Sequence, residues 1–433
     1  MRRVVITGIG VISPLGIGAA AHWQSLLAGN VAVRRIEAFD PSAFPSHIAG
    51  EVPAYKIGDF VPKSYRKATK VMARDIELAV VAADGAFRDA GLQSKAYTDS
   101  PAIDSARFGC NIGAGLISCE LDELTAAMHV AREGGALDLR KWGKAGIESL
   151  TPLWLLKYLP NMLACHVTII HGLKGPSNTI TCADASSHLA IGEAFRTIQR
   201  GKADLAICGG AESKVNPMGL MRQCLLKRVN TQSNENPRQA VRPFDAHAAG
   251  TAIGEGGGLL ILEEYEHAQK RGAKIYAELV GFAASQDAYS VTDPDPTGHS
   301  YAAAITKALA DAKVSPAQVG CLVPHGLGIA RHDQAELAGL RKAFGEGLEN
   351  VPLAPIKSQI GSLAAGCGVD AATAVLILHH QQIPAAVNLK TPAGGARVHV
   401  APAPREAKFD VAVSSVYSLG GQNAALVFRG CRR

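Results

Sequence analysis

Between Gly175 and Glu212 the chain gathers a thiol, a carboxylate and two hydroxyls into one short stretch: Cys182, Asp184, Ser186 and Ser187. Gly175-Pro176 opens the stretch as a turn, and residues 178–183 read as a strand. Beyond it Leu189, Ile191, Ala194, Phe195 and Ile198 fall on one face of a helix, with Gly201 as its stop signal. A strand running straight into a helix leaves unpaired N–H groups and the positive end of the helix dipole at the junction. Such a place suits an activated thiolate or a bound anion. Cys182 supplies a thiol, but as a strand residue it falls short of the dipole. Asp184 stands at the junction itself. There its carboxylate is expected to cap the helix, gaining about 0.3–2 kcal/mol from backbone N–H bonds and the dipole. As an acyl acceptor a carboxylate is poor, because an acyl anhydride hydrolyses readily. Ser186 and Ser187 have no evident base.

The elements that must hold this junction can be read from pattern. Residues 205–208 form the next strand, ending in Gly209-Gly210. Residues 4–7 are a strand leading into a glycine-rich turn that lacks GxGxxG spacing. Residues 64–92 read as one long amphipathic helix, with Ile76, Val80, Ala83 and Phe87 on its apolar face. Residues 107–115 are a buried strand, 121–133 a helix, 216–236 a polar irregular stretch and 257–263 an apolar strand. A second half follows, dividing the chain into residues 1–265 and 266–433. Its strands are expected at 277–284, 321–324, 411–416 and 424–428, and its helices at 300–312 and 363–380. Strand, junction and helix around Asp184 match strand, junction and helix around Ser362, a weak internal repeat.

Composition narrows the function classes. The chain has 433 residues and is 47% hydrophobic, enough for a large core or two fused cores. Net charge is +6 with the basic residues scattered. Lys63, Arg66, Lys67, Lys70 and Arg74 form the densest group, read either as a solvated helix face or as a docking patch for an acidic partner. No basic-aromatic motif points to nucleic acid. The nine cysteines show neither CxxC nor zinc spacing, so a reduced, cytosolic chain without a metal centre is expected. Met1-Arg2-Arg3 and the apolar run after it imitate a signal peptide, but Gly8, Gly10, Pro14 and Gly16 break the run. No apolar stretch approaches the ~18 residues of a membrane span.

Several motifs together resemble one family. Gly175-Pro176-Ser177, the junction, Ala190-Ile191-Gly192 and Gly209-Gly210-Ala211-Glu212 resemble the nucleophile segment of beta-ketoacyl-ACP synthases of the synthase II type. Those enzymes condense acyl chains in fatty acid and polyketide synthesis. Arg242-Pro243-Phe244-Asp245 and Gly254-Glu255-Gly256-Gly257 are similar to two further family motifs, and the likeness covers nearly the whole chain. It implies a thiolase-like α/β fold: two related mixed-sheet halves stacked as five layers, αβαβα. It also implies acyl carrier protein as partner, with the phosphopantetheine thioester as substrate carrier and no other cofactor. In relatives the region after residues 107–115 lines a tunnel shared by two subunits.

The family site is only partly retained. The family cysteine falls on Asp184, and Cys182 falls on a family threonine. His325, followed by Gly326, Asp333 and Glu336, matches the first family histidine, although the family threonines after it are gone. Lys357-Ser358 matches the KSxxGH motif, with Ser362 in place of the second histidine. Serine has no imidazole with which to stabilise an enolate. The closing motif keeps Gly420, Gly421 and Asn423, expected at the substrate, while Tyr417 and Leu419 replace the gating phenylalanines. Three functions follow. The first is a chain-length-factor subunit paired with a cysteine-containing ketosynthase as a heterodimer. The second is a malonyl-ACP decarboxylase or altered acyltransferase using His325 and Asp184. The third is a condensing enzyme with Cys182 as displaced nucleophile, or a scaffold homologue with no synthase partner.

Overall fold

The computed structural model describes residues 1–393 and 399–431. Ten strands carry the architecture. In the N-terminal half these are β1 (Val4–Ser13), β2 (Phe108–Gly113), β3 (Ser177–Ile180), β4 (Leu205–Ser213) and β5 (Ile253–Glu264). In the C-terminal half they are β6 (Ala277–Gln286), β7 (Cys321–Val323), β8 (Pro352–Leu353), β9 (Val411–Tyr417) and β10 (Gln422–Arg429). The N-terminal order is β3-β2-β4-β5-β1, and the C-terminal order is β8-β7-β9-β10-β6. The two orders are the same, and so are the directions. In each half the first two pairings are parallel and the last two antiparallel. The repeat that is faint in the sequence is therefore explicit in the topology. β1 and β6 join the halves by a short antiparallel pairing of Val4–Ile6 with Ala277–Leu279.

Helices sort into three layers. α1 (Arg74–Asp89) and α2 (Met162–His171) cover the outer face of the first half. α3 (Ser186–Gln199) touches strands of both halves and so lies between them. α4 (Pro217–Leu225) leads away from β4. α5 (His299–Ala312) and α6 (Ala330–Phe344) cover the outer face of the second half, and α7 (Gly368–His380) joins α3 in the middle layer. Strand alternation supplies both cores. Leu259 and Ile261 of β5 pack outward with α1, while Leu260 and Leu262 pack inward with Ile191, Phe195 and Val375. This is the five-layer thiolase-like arrangement that the motifs imply.

Several local expectations need correction. Residues 64–92 are not one helix: Lys63–Val71 is a 3₁₀ segment, and Met72 and Ala73 are extended before α1 begins. Lys63–Val71 buries no side chain, so no apolar stripe holds it in an α-helix against the core. Arg74 also leaves the basic patch, because its guanidinium turns inward to Glu255 at 2.8 Å. Residues 363–380 begin with a 3₁₀ turn, Ala364–Cys367, and become α-helical only at Gly368. The stretch 216–236 is not irregular throughout. It contains α4, whose N-cap Asn216 accepts the Gly219 N–H at 2.7 Å. The nine cysteines are all free. Among the described residues, no helix is long and apolar enough to cross a membrane.

The start of α7 presses on the sheet where both halves meet. A Cβ on Gly368 would stand 2.1 Å from the Gly258 carbonyl oxygen, and one on Gly258 would stand 2.2 Å from the Gly368 carbonyl carbon. Backbone lies on both sides, so neither can yield. Gly258→Ala is expected to destabilise the protein by about 3 kcal/mol, the upper range for overpacking. Urea unfolding followed by circular dichroism measures the shift in midpoint.

Candidate active site

β3 ends at Ile180, and the chain reaches α3 through a 3₁₀ turn, Ala183–Ala185. Ala183 holds φ at +45°, a left-handed conformation that costs an L-residue about 1–3 kcal/mol. The turn carries Asp184 inward, to 1% exposure. Asp184 does not cap α3. No helix N–H group donates to it, and the residue before the helix makes no side-chain cap bond. Its partners come from elsewhere in the chain. Nη2 of Arg228 lies 3.8 Å from Oδ2, and Nε2 of His325 lies 3.5 Å from Oδ1. Both separations are ion-pair contacts longer than a hydrogen bond. Burial alone would raise the Asp184 carboxyl. The Arg228 charge, the His325 contact and the more distant Lys214 outweigh burial and hold it well below the usual carboxylate range.

His325 follows β7 on a loop tied down by acids of α6. Glu336 accepts the N–H groups of His325 and Gly326, each at 2.8 Å. Asp333 accepts those of Leu327, Gly328 and Phe244. The two acids of the histidine motif thus position the loop. On the ring's other side, Nδ1 lies 4.0 Å from the Cys367 sulfur, and Tyr417 packs edge-on at 4.7 Å between centroids. Burial pushes the Cys367 thiol well up, so it is a neutral neighbour.

Lys357 forms a fully buried ion pair with Asp370 of α7. Burial pulls the ammonium down, and Asp370 more than restores it. His325, Cys367 and Asp370 bring possible metal ligands within 4.8 Å of one another. Asp370 is committed to Lys357, so the trio offers a cation no free carboxylate.

Ser362 and Leu419 line a cavity of about 50 Å³ together with Asp184, Ala183, Lys214 and Arg228. Gly420, Gly421 and Asn423 face a different way. Asn423 Nδ2 donates to Asp287 Oδ1 at 2.7 Å, and Gly420 N donates to the Val291 carbonyl at 3.1 Å. They fasten the loop after β6 rather than reach the cavity. Cys182 lies in the turn beyond β3, not within the strand. Burial raises its thiol, and its N–H donates to Ser186 Oγ at 2.7 Å.

The structure therefore brings together Asp184, His325, Ser362, Leu419 and Tyr417, with Lys357 one layer behind. Arg228, Lys214, Asp370 and His332 escape the sequence reading. His332 is 1% exposed, has no hydrogen-bond partner on either ring nitrogen, and lies 3.5 Å from Asp293. Arg228 carried one legible signal, since a new aspartate at a buried junction demands a cation.

The geometry can be set beside known proteins. The family model "Beta-ketoacyl synthase, N-terminal domain" matches residues 1–268, and "Beta-ketoacyl synthase, C-terminal domain" matches residues 276–390. This chain belongs to the beta-ketoacyl synthase family. It is 34% identical to 3-oxoacyl-[acyl-carrier-protein] synthase 2 of Vibrio cholerae, over 99% of both chains. Among solved structures, a beta-ketoacyl synthase from Burkholderia phymatum matches with a TM-score of 0.86 at 29% identity. The ishigamide ketosynthase/chain length factor matches with a TM-score of 0.85 at 27% identity. Both matches cover the whole of each chain.

Two outcomes test the electrostatics of this ketosynthase-like site. Lys357→Met strands Asp370 in the core and is expected to cost about 3–5 kcal/mol. The double variant Lys357→Met/Asp370→Leu should recover much of that in the same unfolding assay. Asp184 has its folded-state pKa depressed, so its charge stabilises the fold above the unfolded value of about 3.9, and that stability is lost as pH falls below it. The stability advantage of the natural protein over Asp184→Asn should accordingly be constant near neutral pH and shrink below about pH 4.

Proposed function

We propose that this chain is a non-condensing ketosynthase homologue that acts as the chain-length-factor partner of an active, cysteine-containing beta-ketoacyl-ACP synthase. One observation carries the reading. At the position of the family nucleophile stands a carboxylate that is buried, ionised and faced by Arg228 and His325, before a cavity of about 50 Å³. Such a group is a poor acceptor for an acyl chain. Ser362 removes the second imidazole, so the site also lacks the means to stabilise an enolate. The scaffold around these losses is intact, which favours a role in assembly.

A surface suited to a partner supports the same reading. β3 is an edge strand paired only with β2, so its outer edge can accept another chain. Leu116, Leu139, Ile147, Leu153, Leu155 and Ile169 are exposed large apolar residues, and Ile169 belongs to α2, which packs against β3. Clustered exposed apolar groups mark association surfaces. Lys63, Arg66, Lys67 and Lys70 remain exposed and offer positive charge to an acidic carrier protein. One solved relative is titled a type II polyketide synthase acyl carrier protein in complex with its ketosynthase, at 27% identity and a TM-score of 0.82. In this reading the protein works in the cytoplasm, in polyketide or fatty-acid-like synthesis, with carrier-bound thioesters as the substrates of its partner.

A second reading keeps some chemistry. His325 Nε2 lies 3.5 Å from Asp184 Oδ1, which gives an acid–base pair able to act on malonyl-ACP. It predicts carbon dioxide release from malonyl-ACP by the isolated protein, abolished by His325→Ala. Cys182 as displaced nucleophile finds less support, because burial raises its thiol and no cation offsets that effect.

Intact mass spectrometry after incubation with acyl- and malonyl-ACP tests the main reading. With a co-expressed ketosynthase, a one-to-one complex is expected in which the acyl group sits on the other chain. Asp184→Cys alone should acquire an acyl adduct slowly or not at all, and should not condense, because Ser362 remains. An adduct on the unmodified chain, or carbon dioxide release sensitive to His325→Ala, would overturn the non-catalytic assignment.

A further inference from the structure

Arg228 is under-used by the contacts described so far. It is 4% exposed and reaches the site from the segment after α4. Its guanidinium offers five N–H donors. Its one ion pair, to Asp184, spans 3.8 Å, against about 2.7–2.9 Å for a charge-assisted hydrogen bond. Its Nε is buried and has no hydrogen-bond partner. Buried donors of a cation are rarely left so, and each such group calls for an explanation. Asp184 Oδ2 lies nearest Nη2, and Nε is left without an acceptor.

The cavity that Arg228 faces supplies the explanation. It is lined by a second cation, Lys214, and by the polar side chains of Gln223, Thr251 and Ser362. Among the described residues the acid in its wall is Asp184, which faces Arg228 and His325. Lys214 is itself held by Glu212 behind the cavity, which fixes the ammonium without removing it from the wall. The first turn of α3, a helix of 14 residues, begins beside Asp184 and adds the positive end of its dipole. The volume decides the size of the occupant. At about 50 Å³ the cavity has room for more than one water, so a halide or a one-carbon carboxylate fits within it.

We propose that this cavity is a binding site for a small monovalent anion of the size of chloride or formate, held by Arg228 and Lys214 with hydrogen bonds from Gln223 and Ser362. Occupied, it completes the coordination of Arg228 and fills the last space in front of Asp184. The proposal stands on the cavity and on Arg228, and holds whichever reading of the protein's function is correct.

The test is thermal unfolding of the full chain in sodium gluconate, chloride, bromide and formate at matched ionic strength. Chloride, bromide and formate should each raise Tm saturably above the gluconate baseline. Arg228→Gln should abolish the rise. Should that variant fail to fold, Lys214→Gln is expected to weaken bromide binding about tenfold or more. Bromide-soaked crystals of the natural protein should then show one anomalous peak in the cavity lined by Arg228, Lys214 and Ser362. Equal Tm in gluconate and bromide, a saturable rise that survives Arg228→Gln and Lys214→Gln, or no anomalous peak in the cavity would overturn the proposal.

Discussion

A buried carboxylate cannot remain charged alone, and this requirement organises the centre of the molecule. Removing a carboxylate from water costs several kcal/mol unless a partner restores the lost solvation. Asp184 meets that cost with Arg228 and His325, which come from different segments and from both halves of the chain. Each partner needs its own support. Glu336 and Asp333 gather the backbone of the histidine loop, and the turn after α4 brings Arg228 under the junction. A second buried pair, Lys357 with Asp370, lies beside the first and anchors the start of α7.

The repeated topology makes this convergence possible. Each half delivers one strand-to-helix junction to the middle layer, Asp184 from the first and Ser362 from the second. Gly258 and Gly368 allow backbone to touch backbone where those layers meet, so α7 approaches the sheet closely enough for Cys367 and Asp370 to stand beside His325. Aromatic packing then closes the remaining space. Tyr417 packs edge-on against His325, and Leu419 lines the cavity. The result is a family scaffold in which charged and aromatic side chains pack closely around Asp184 and His325.

The sequence by itself determined the family, the two-half order of elements and the identity of the residues at each motif position. Those features are local: glycines at fixed offsets, strands followed by helices, and side chains named by their place in a motif. It also put Asp184 and Ser362 at the motif positions where the resemblance expects a cysteine and a second histidine, since that is a matter of residue identity alone. Tertiary structure decided what surrounds them. The junction aspartate looked like a helix cap because local pattern offers it only local partners, and the strained turn at Ala183 turns it inward instead. The helix expected over residues 64–92 broke for the opposite reason: its first part has nothing to bury against, which periodicity cannot reveal. Arg228, Lys214 and Asp370 carried no motif, and Gly420, Gly421 and Asn423 carried one yet serve a neighbouring loop. Which charges meet inside a protein depends on segments hundreds of residues apart. Only the packed fold fixes those distances.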